Sequence, residues 1–102
     1  MAASARLLDW ADRRDAPRIA TRRPARIDGE WFSCTGDLLN ISASGAMVAT
    51  AHPPRKGRNV ALVCEDVDAA ARIVWVGDRR FGLAFDAQLS TDQLSRLAGT
   101  AL

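Results

Sequence analysis

From Pro24 to Phe85 the apolar residues come in short alternating runs, broken every few positions by glycine, proline or aspartate, and this is the pattern of short strands. Residues 24–27 and 30–34 flank Asp28-Gly29, a pair that can supply the positive φ angles of a tight hairpin turn. Residues 45–50 form another strand-like run. His52-Pro53-Pro54 stops it, because proline lacks the amide that a central ladder needs, and the loop continues through Arg55-Lys56-Gly57. Val60, Leu62 and Cys64 alternate with smaller residues, residues 71–76 are β-branched and aromatic, and Phe81, Leu83 and Phe85 alternate again after a turn over residues 77–80. Six short strands leave reactive edges unless the sheet closes on itself, and an antiparallel barrel achieves this within about 65 residues. The expected fold is therefore all-β, a six-stranded antiparallel barrel. Ser90 or Thr91 then caps a short helix with Leu94, Leu97 and Ala98 on its apolar side and Gly99 placed to end it, packed on the barrel.

At 102 residues the chain has the size of one compact domain. Three parts are expected: a flexible N-terminal tail over residues 1–12, the domain body over 13–88, and a C-terminal helix and tail over 89–102. Arg6, Asp9 and Asp12 interrupt the N-terminus before a secretion signal can form, and no segment approaches the roughly 20 apolar residues of a transmembrane helix. A cytoplasmic location without membrane insertion is the expectation. Cys34 and Cys64 lie in apolar stretches with no histidine or second cysteine pair at metal spacing, so they read as reduced core thiols, and no metal site is expected.

Charge is unevenly placed. Residues 1–26 hold seven arginines against three aspartates, a net of +4, while the remainder of the chain nets −2. A basic arm of this kind attracts phosphate. Arginines four apart recur at Arg14/Arg18, Arg18/Arg22 and Arg22/Arg26, so that spacing alone selects none of them. Asn40-x-Ser42-x-x-Gly45 is more selective, since chance placement of such residues predicts roughly 0.05 occurrences in a chain of this composition.

Arg14-x-x-x-Arg18 ahead of the first strand, with Asn40-x-Ser42-x-x-Gly45 further on, resembles the PilZ domain family. The resemblance runs from about Arg13 to Asp86 and includes the finish Ile73-Val74-Trp75-Val76 and Arg80-Phe81-Gly82-Leu83-Ala84-Phe85. It makes Arg14 and Arg18 the family's two arginines and Arg22 and Arg26 strand-side residues. It implies a six-stranded barrel and, as ligand rather than cofactor, cyclic di-GMP. Chemistry agrees with that ligand: a guanidinium grips phosphate oxygens or the O6/N7 edge of guanine through two bonds and also lies flat on a purine.

Asn40 and Ser42, two residues apart, share a side if strand geometry persists, and both then read a guanine edge. Asparagine at position 40 keeps an acceptor but lacks the charge of aspartate, which bears on affinity. Gly45 lets backbone approach the ligand closely or turn with positive φ. Arg13 resembles the extra arginine of family members that bind two intercalated ligand molecules; a solvated arm charge is the alternative. Trp75 offers an indole for stacking, although it shares strand parity with Ile73 and so equally suits the core. Trp10, Trp31 and Phe32 read as packing or hairpin-surface residues, and His52 has no catalytic companions.

The resulting expectation is a non-enzymatic receptor whose arm becomes ordered on cyclic di-GMP and signals through a separate effector protein, as a monomer or ligand-dependent dimer. The alternatives are a barrel of the same family acting only through protein contacts, and a nucleic-acid binder, which the −2 body disfavours.

Overall fold

The computed structural model describes residues 18–98. Residues 1–17 and 99–102 lie outside it, and with them the expected flexible tail, the basic arm ahead of Arg18, Arg13, Arg14, Trp10 and the Gly99 stop. Six strands are present: β1 (Ile19–Gly29), β2 (Ser33–Ile41), β3 (Gly45–Ala49), β4 (Asn59–Cys64), β5 (Val67–Gly77) and β6 (Arg80–Phe85). One helix, α1 (Thr91–Ala98), follows. All ladders are antiparallel and the sheet closes in the order β1-β2-β3-β6-β5-β4. Two three-stranded meanders, β1-β2-β3 and β4-β5-β6, are thus joined along two seams, β3 to β6 and β4 to β1.

Alternation generates the interior. Ile27, Leu38, Ile41, Val48, Leu62, Ile73 and Phe81 are almost wholly enclosed, one or two from each strand. Between them the outward positions carry the charges. Pro24 sits within β1, but β4 pairs with β1 only from Arg26 onward, so its missing donor removes no bond on that edge.

The first hairpin differs from the expected Asp28-Gly29 turn. Asp28 pairs with Ser33 inside the ladder, the Gly29 amide donates to the Phe32 carbonyl at 2.8 Å, and Glu30-Trp31 makes the turn. Two contacts favour this register. The Asp28 carboxylate accepts the Ser33 hydroxyl at 2.8 Å and the Arg26 Nε at 3.0 Å, which hold its carboxyl below the usual carboxylate range. The Phe32 ring also lies over Gly29, where a Cβ would stand 2.2 Å from Phe32 Cε1. Among the described residues, positive φ falls instead at Gly57 (92°), Glu65 (55°) and Arg79 (61°), the last two in the β4–β5 and β5–β6 turns. β2 also runs well past Cys34, through Gly36, Asp37 and Asn40, all weak strand formers that the propensity pattern passes over.

Ser90 caps α1 reciprocally: its Oγ accepts the Gln93 amide at 3.1 Å, and its own amide donates to Gln93 Oε1 at 2.9 Å. Leu97 is fully buried, Leu94 packs against the core from partial exposure, and Leu89 ties the preceding segment to the β2–β3 turn through its amide and the Ala43 carbonyl, 2.9 Å apart. The helix therefore closes the barrel end formed by the start of β1 and the end of β2. Leu97→Ala should cost about 2–4 kcal/mol of unfolding free energy, as expected when a large aliphatic side chain leaves a cavity, measured by urea titration.

Burial pushes both thiols up, helped by the Asp28 carboxylate near Cys34 and the Glu65 carboxylate near Cys64. Both should alkylate more slowly in the folded than in the unfolded chain at mildly alkaline pH, as read by mass spectrometry of iodoacetamide adducts. Above the ordinary thiol range of about 8.5 the unfolded chain releases protons that the folded chain retains, so stability falls as pH rises.

Candidate functional site

A cleft of about 200 Å³ opens on the outer wall where β3, β6 and β5 run side by side, and Arg18, Ser42, Gly45, Met47, Trp75 and Ala84 are among the residues that line it. Four of the residues expected at the site from sequence are thereby brought together. Arg13 and Arg14 lie outside the described residues. Asn40 pairs with Met47 on the adjoining strand and sits at the margin of the cleft rather than in its lining.

Trp75 reaches this wall through a bulge. Ile73 opposes Leu83 while Trp75 opposes Gly82, so Val74 is the extra residue in β5. One inserted residue reverses the facing of the strand beyond it, and Trp75, which by parity with Ile73 would point inward, is 40% exposed. The shared-parity argument for a core tryptophan is therefore overturned by Val74. The indole then lies across Gly82, where an added Cβ would stand 1.9 Å from its Nε1 and 2.5 Å from its Cδ1. Only glycine accommodates the ring in this position.

Across the strands, Met47, Gly82 and Trp75 form one row, and Gly45, Ala84 and Arg72 form the next. Small residues at Gly45, Gly82 and Ala84 keep the floor low between the Met47 and Trp75 side chains. Gly45 serves this close packing, for its φ is not positive, and an added Cβ would lie 2.4 Å from the Leu83 carbonyl oxygen. It permits the approach of β6 rather than an unusual turn.

Ser42 is the one buried polar residue in the described chain. Its amide donates to the Gly45 carbonyl at 2.8 Å, and its hydroxyl accepts the Gly45 amide at 3.2 Å and the Ser44 amide at 3.3 Å. The hydroxyl thus shapes the β2–β3 turn that borders the cleft. Ser44, Met47 and Ala84 were not singled out from the sequence. Their signal exists only once the register aligns three strands, because each residue type is ordinary in isolation.

The remaining arginines of β1 are differently engaged. Arg22 faces Asp37 at 3.4 Å, Arg23 faces Glu65 at 3.0 Å and Arg26 faces Asp28 at 3.0 Å. Arg18, immediately before β1, lines the cleft instead. A larger hollow of about 690 Å³ crosses the opposite wall over β2, β1 and β4, beside Arg26, Asp37 and Glu65. Its charges face partners of opposite sign, which suits it poorly to an anionic ligand.

The site is thus one external cleft on a small closed barrel, with an arginine and an exposed indole beside it. The sequence model of the PilZ domain matches residues 12–99, and the chain belongs to the PilZ domain family, a cyclic di-GMP-binding family. No curated protein matches the chain. Among solved structures it is similar to the PilZ domain of CeSA from a cellulose-synthesizing bacterium, with 19% identity and a TM-score of 0.61 over 81% of this chain and 91% of that one. It is also similar to the Bacillus subtilis inhibitor of motility, MotI/DgrA, with 19% identity and a TM-score of 0.64 over 80% of this chain and 46% of that one. The chain thus spans less than half of the motility inhibitor. At these identities the likeness is one of fold.

Gly82→Ala isolates the seat of the indole. It should displace Trp75 and change the near-ultraviolet circular dichroism, while the far-ultraviolet spectrum stays that of a folded barrel. An unchanged aromatic spectrum would show that the ring does not depend on Gly82.

Proposed function

We propose that the chain is a non-catalytic cyclic di-GMP receptor that signals from the cytoplasm through a separate protein partner. The observation that supports this most is the meeting of Arg18 and Trp75 at one cleft, beside the Ser42–Gly45 turn. Cyclic di-GMP carries two phosphates and two guanines. The guanidinium of Arg18 binds a phosphate or the O6/N7 edge of a guanine, and the Trp75 face takes a purine by stacking, a contact worth about 1–3 kcal/mol per base. The flat floor at Gly45 and Ala84 leaves room for a planar ring. Asn40, at the margin, supplies an amide to a base edge.

Arg14 adds the second strong contact in this reading, and Arg13 favours a second ligand molecule. Ligand binding orders the arm against the barrel and creates a surface absent from the free protein, which an effector can recognise. An adaptor of this type needs no catalytic residue.

Isothermal titration with cyclic di-GMP tests the proposal. Arg18→Ala and Arg14→Ala should each weaken binding by about 2–3 kcal/mol, the value of a charge-assisted contact, whereas Arg22→Ala, whose partner is Asp37, should change it far less. Asn40→Asp should tighten binding by about 1 kcal/mol, because a carboxylate is a stronger acceptor for guanine N–H donors than an amide. Absence of both heat and a melting-temperature shift at saturating nucleotide would leave the barrel as a protein-contact module only.

A further inference from the structure

The barrel end farthest from Arg18 and α1 carries three loops: the β1–β2 turn at Glu30-Trp31, the β3–β4 loop over residues 50–58, and the β5–β6 turn over residues 78–79. They are neighbours in space. Glu30 and Phe32 border one hollow with Gly57, Arg58 and Asn59, and the Thr50 amide donates to the Arg79 carbonyl at 3.0 Å. Arg55, Lys56, Arg58, Arg79 and Arg80 stand at this end against Glu30 and Asp78, five cations to two carboxylates, and all seven are exposed. Trp31 projects from it at 83% exposure, the most exposed large apolar side chain described, and Val76, 43% exposed, lies across the barrel beside the β5–β6 turn. The opposite end mixes Glu65, Asp66, Asp86 and Asp92 with Arg18, Arg23 and Arg96, and there Arg23 pairs with Glu65 while Arg96 pairs with Asp66 and Asp92. The excess of positive charge at the loop end therefore has no acidic counterpart at the other.

We infer that this basic end docks on an anionic lipid surface, with Trp31 in the headgroup layer and the five cations above it. Three features favour a bilayer over an acidic protein. The cations stand on two separate connections, Arg55, Lys56 and Arg58 on the β3–β4 loop and Arg79 and Arg80 at the β5–β6 turn, as suits a diffuse plane of charge rather than a fixed set of carboxylates. The apolar exposure is a hairpin-tip indole whose neighbours Glu30 and Phe32 share a hollow with Arg58, without the contiguous apolar centre of a protein interface, and an indole prefers the water–lipid boundary. The positive excess at the loop end draws that end of the barrel toward a negative plane. The protein would rest on the bilayer and not cross it, in keeping with the lack of a membrane-spanning helix among the described residues.

Co-sedimentation of the full chain, without nucleotide, with phosphatidylcholine vesicles containing or lacking phosphatidylglycerol provides the test. Binding should require phosphatidylglycerol and fall with added salt. The double variant Arg55→Glu/Lys56→Glu should lower the partition coefficient roughly tenfold or more, and Trp31→Ala by a few-fold, each with an unchanged melting temperature because the side chains are exposed. Arg13→Glu/Arg14→Glu should retain vesicle binding. No sedimentation with phosphatidylglycerol, or loss in the arm variant with none in the Arg55/Lys56 variant, would overturn the inference. Binding to polyglutamate or an oligonucleotide but not to the vesicles would also overturn it, and would assign this end to a polyanionic macromolecule.

Discussion

β1 carries two ladders at once: it pairs with β2 from Ile19 to Asp28 and with β4 from Arg26 to Gly29. This shared stretch closes the sheet. Without it, β1 would keep one open edge and β4 another, and the distinction between inner and outer walls would disappear with the barrel. Closure sets two constraints on every strand, the register to each neighbour, and those registers determine which side chains gather at the cleft. The burial of Ile27 within the doubly paired stretch couples packing to hydrogen bonding at this point.

The cleft gains its character from departures from regularity. Val74 turns Trp75 outward, Gly82 gives the indole a seat, and Gly45 allows β3 and β6 to approach. Each departure has a local cost, through a lost ladder bond or the backbone freedom of glycine. In return, an aromatic plane stands in water beside an arginine on a barrel wall otherwise covered by ordinary strand surface. The same arithmetic of parity explains why Ile73 and Trp75, two residues apart, belong to opposite sides of the sheet.

Much of the fold could be read directly from the chain. The alternations at Val60-Leu62-Cys64 and Phe81-Leu83-Phe85 gave strands where strands occur, and the need to hide edges pointed to closure. The limits arose where side-chain contacts outweighed propensity. Asp28-Gly29 looked like a turn, but Ser33, Arg26 and the Phe32 ring hold that pair in the ladder. Gly36, Asp37 and Asn40 are weak strand formers, yet closure requires a long β2. At the cleft, the motif residues Ser42 and Gly45 were visible as letters, while their immediate tasks, closing a turn and admitting a neighbouring strand, were not. Trp75 required knowledge of a bulge, and a bulge has no reliable mark in a single sequence when the extra residue is a valine.

The cleft also straddles the seam between β3 and β6, one of the two places where the chain's separate meanders meet. Within each meander, strands pair with sequence neighbours; across the seam, pairing waits for distant segments to find each other, which is the slow part of building such a topology. An occupant touching both Gly45 on β3 and Ala84 on β6 would grip a junction between units rather than the interior of one. Its influence would therefore fall on the lifetime of the assembled barrel: separation of the meanders would first require the occupant to leave, and unfolding would slow even where folding kept its pace.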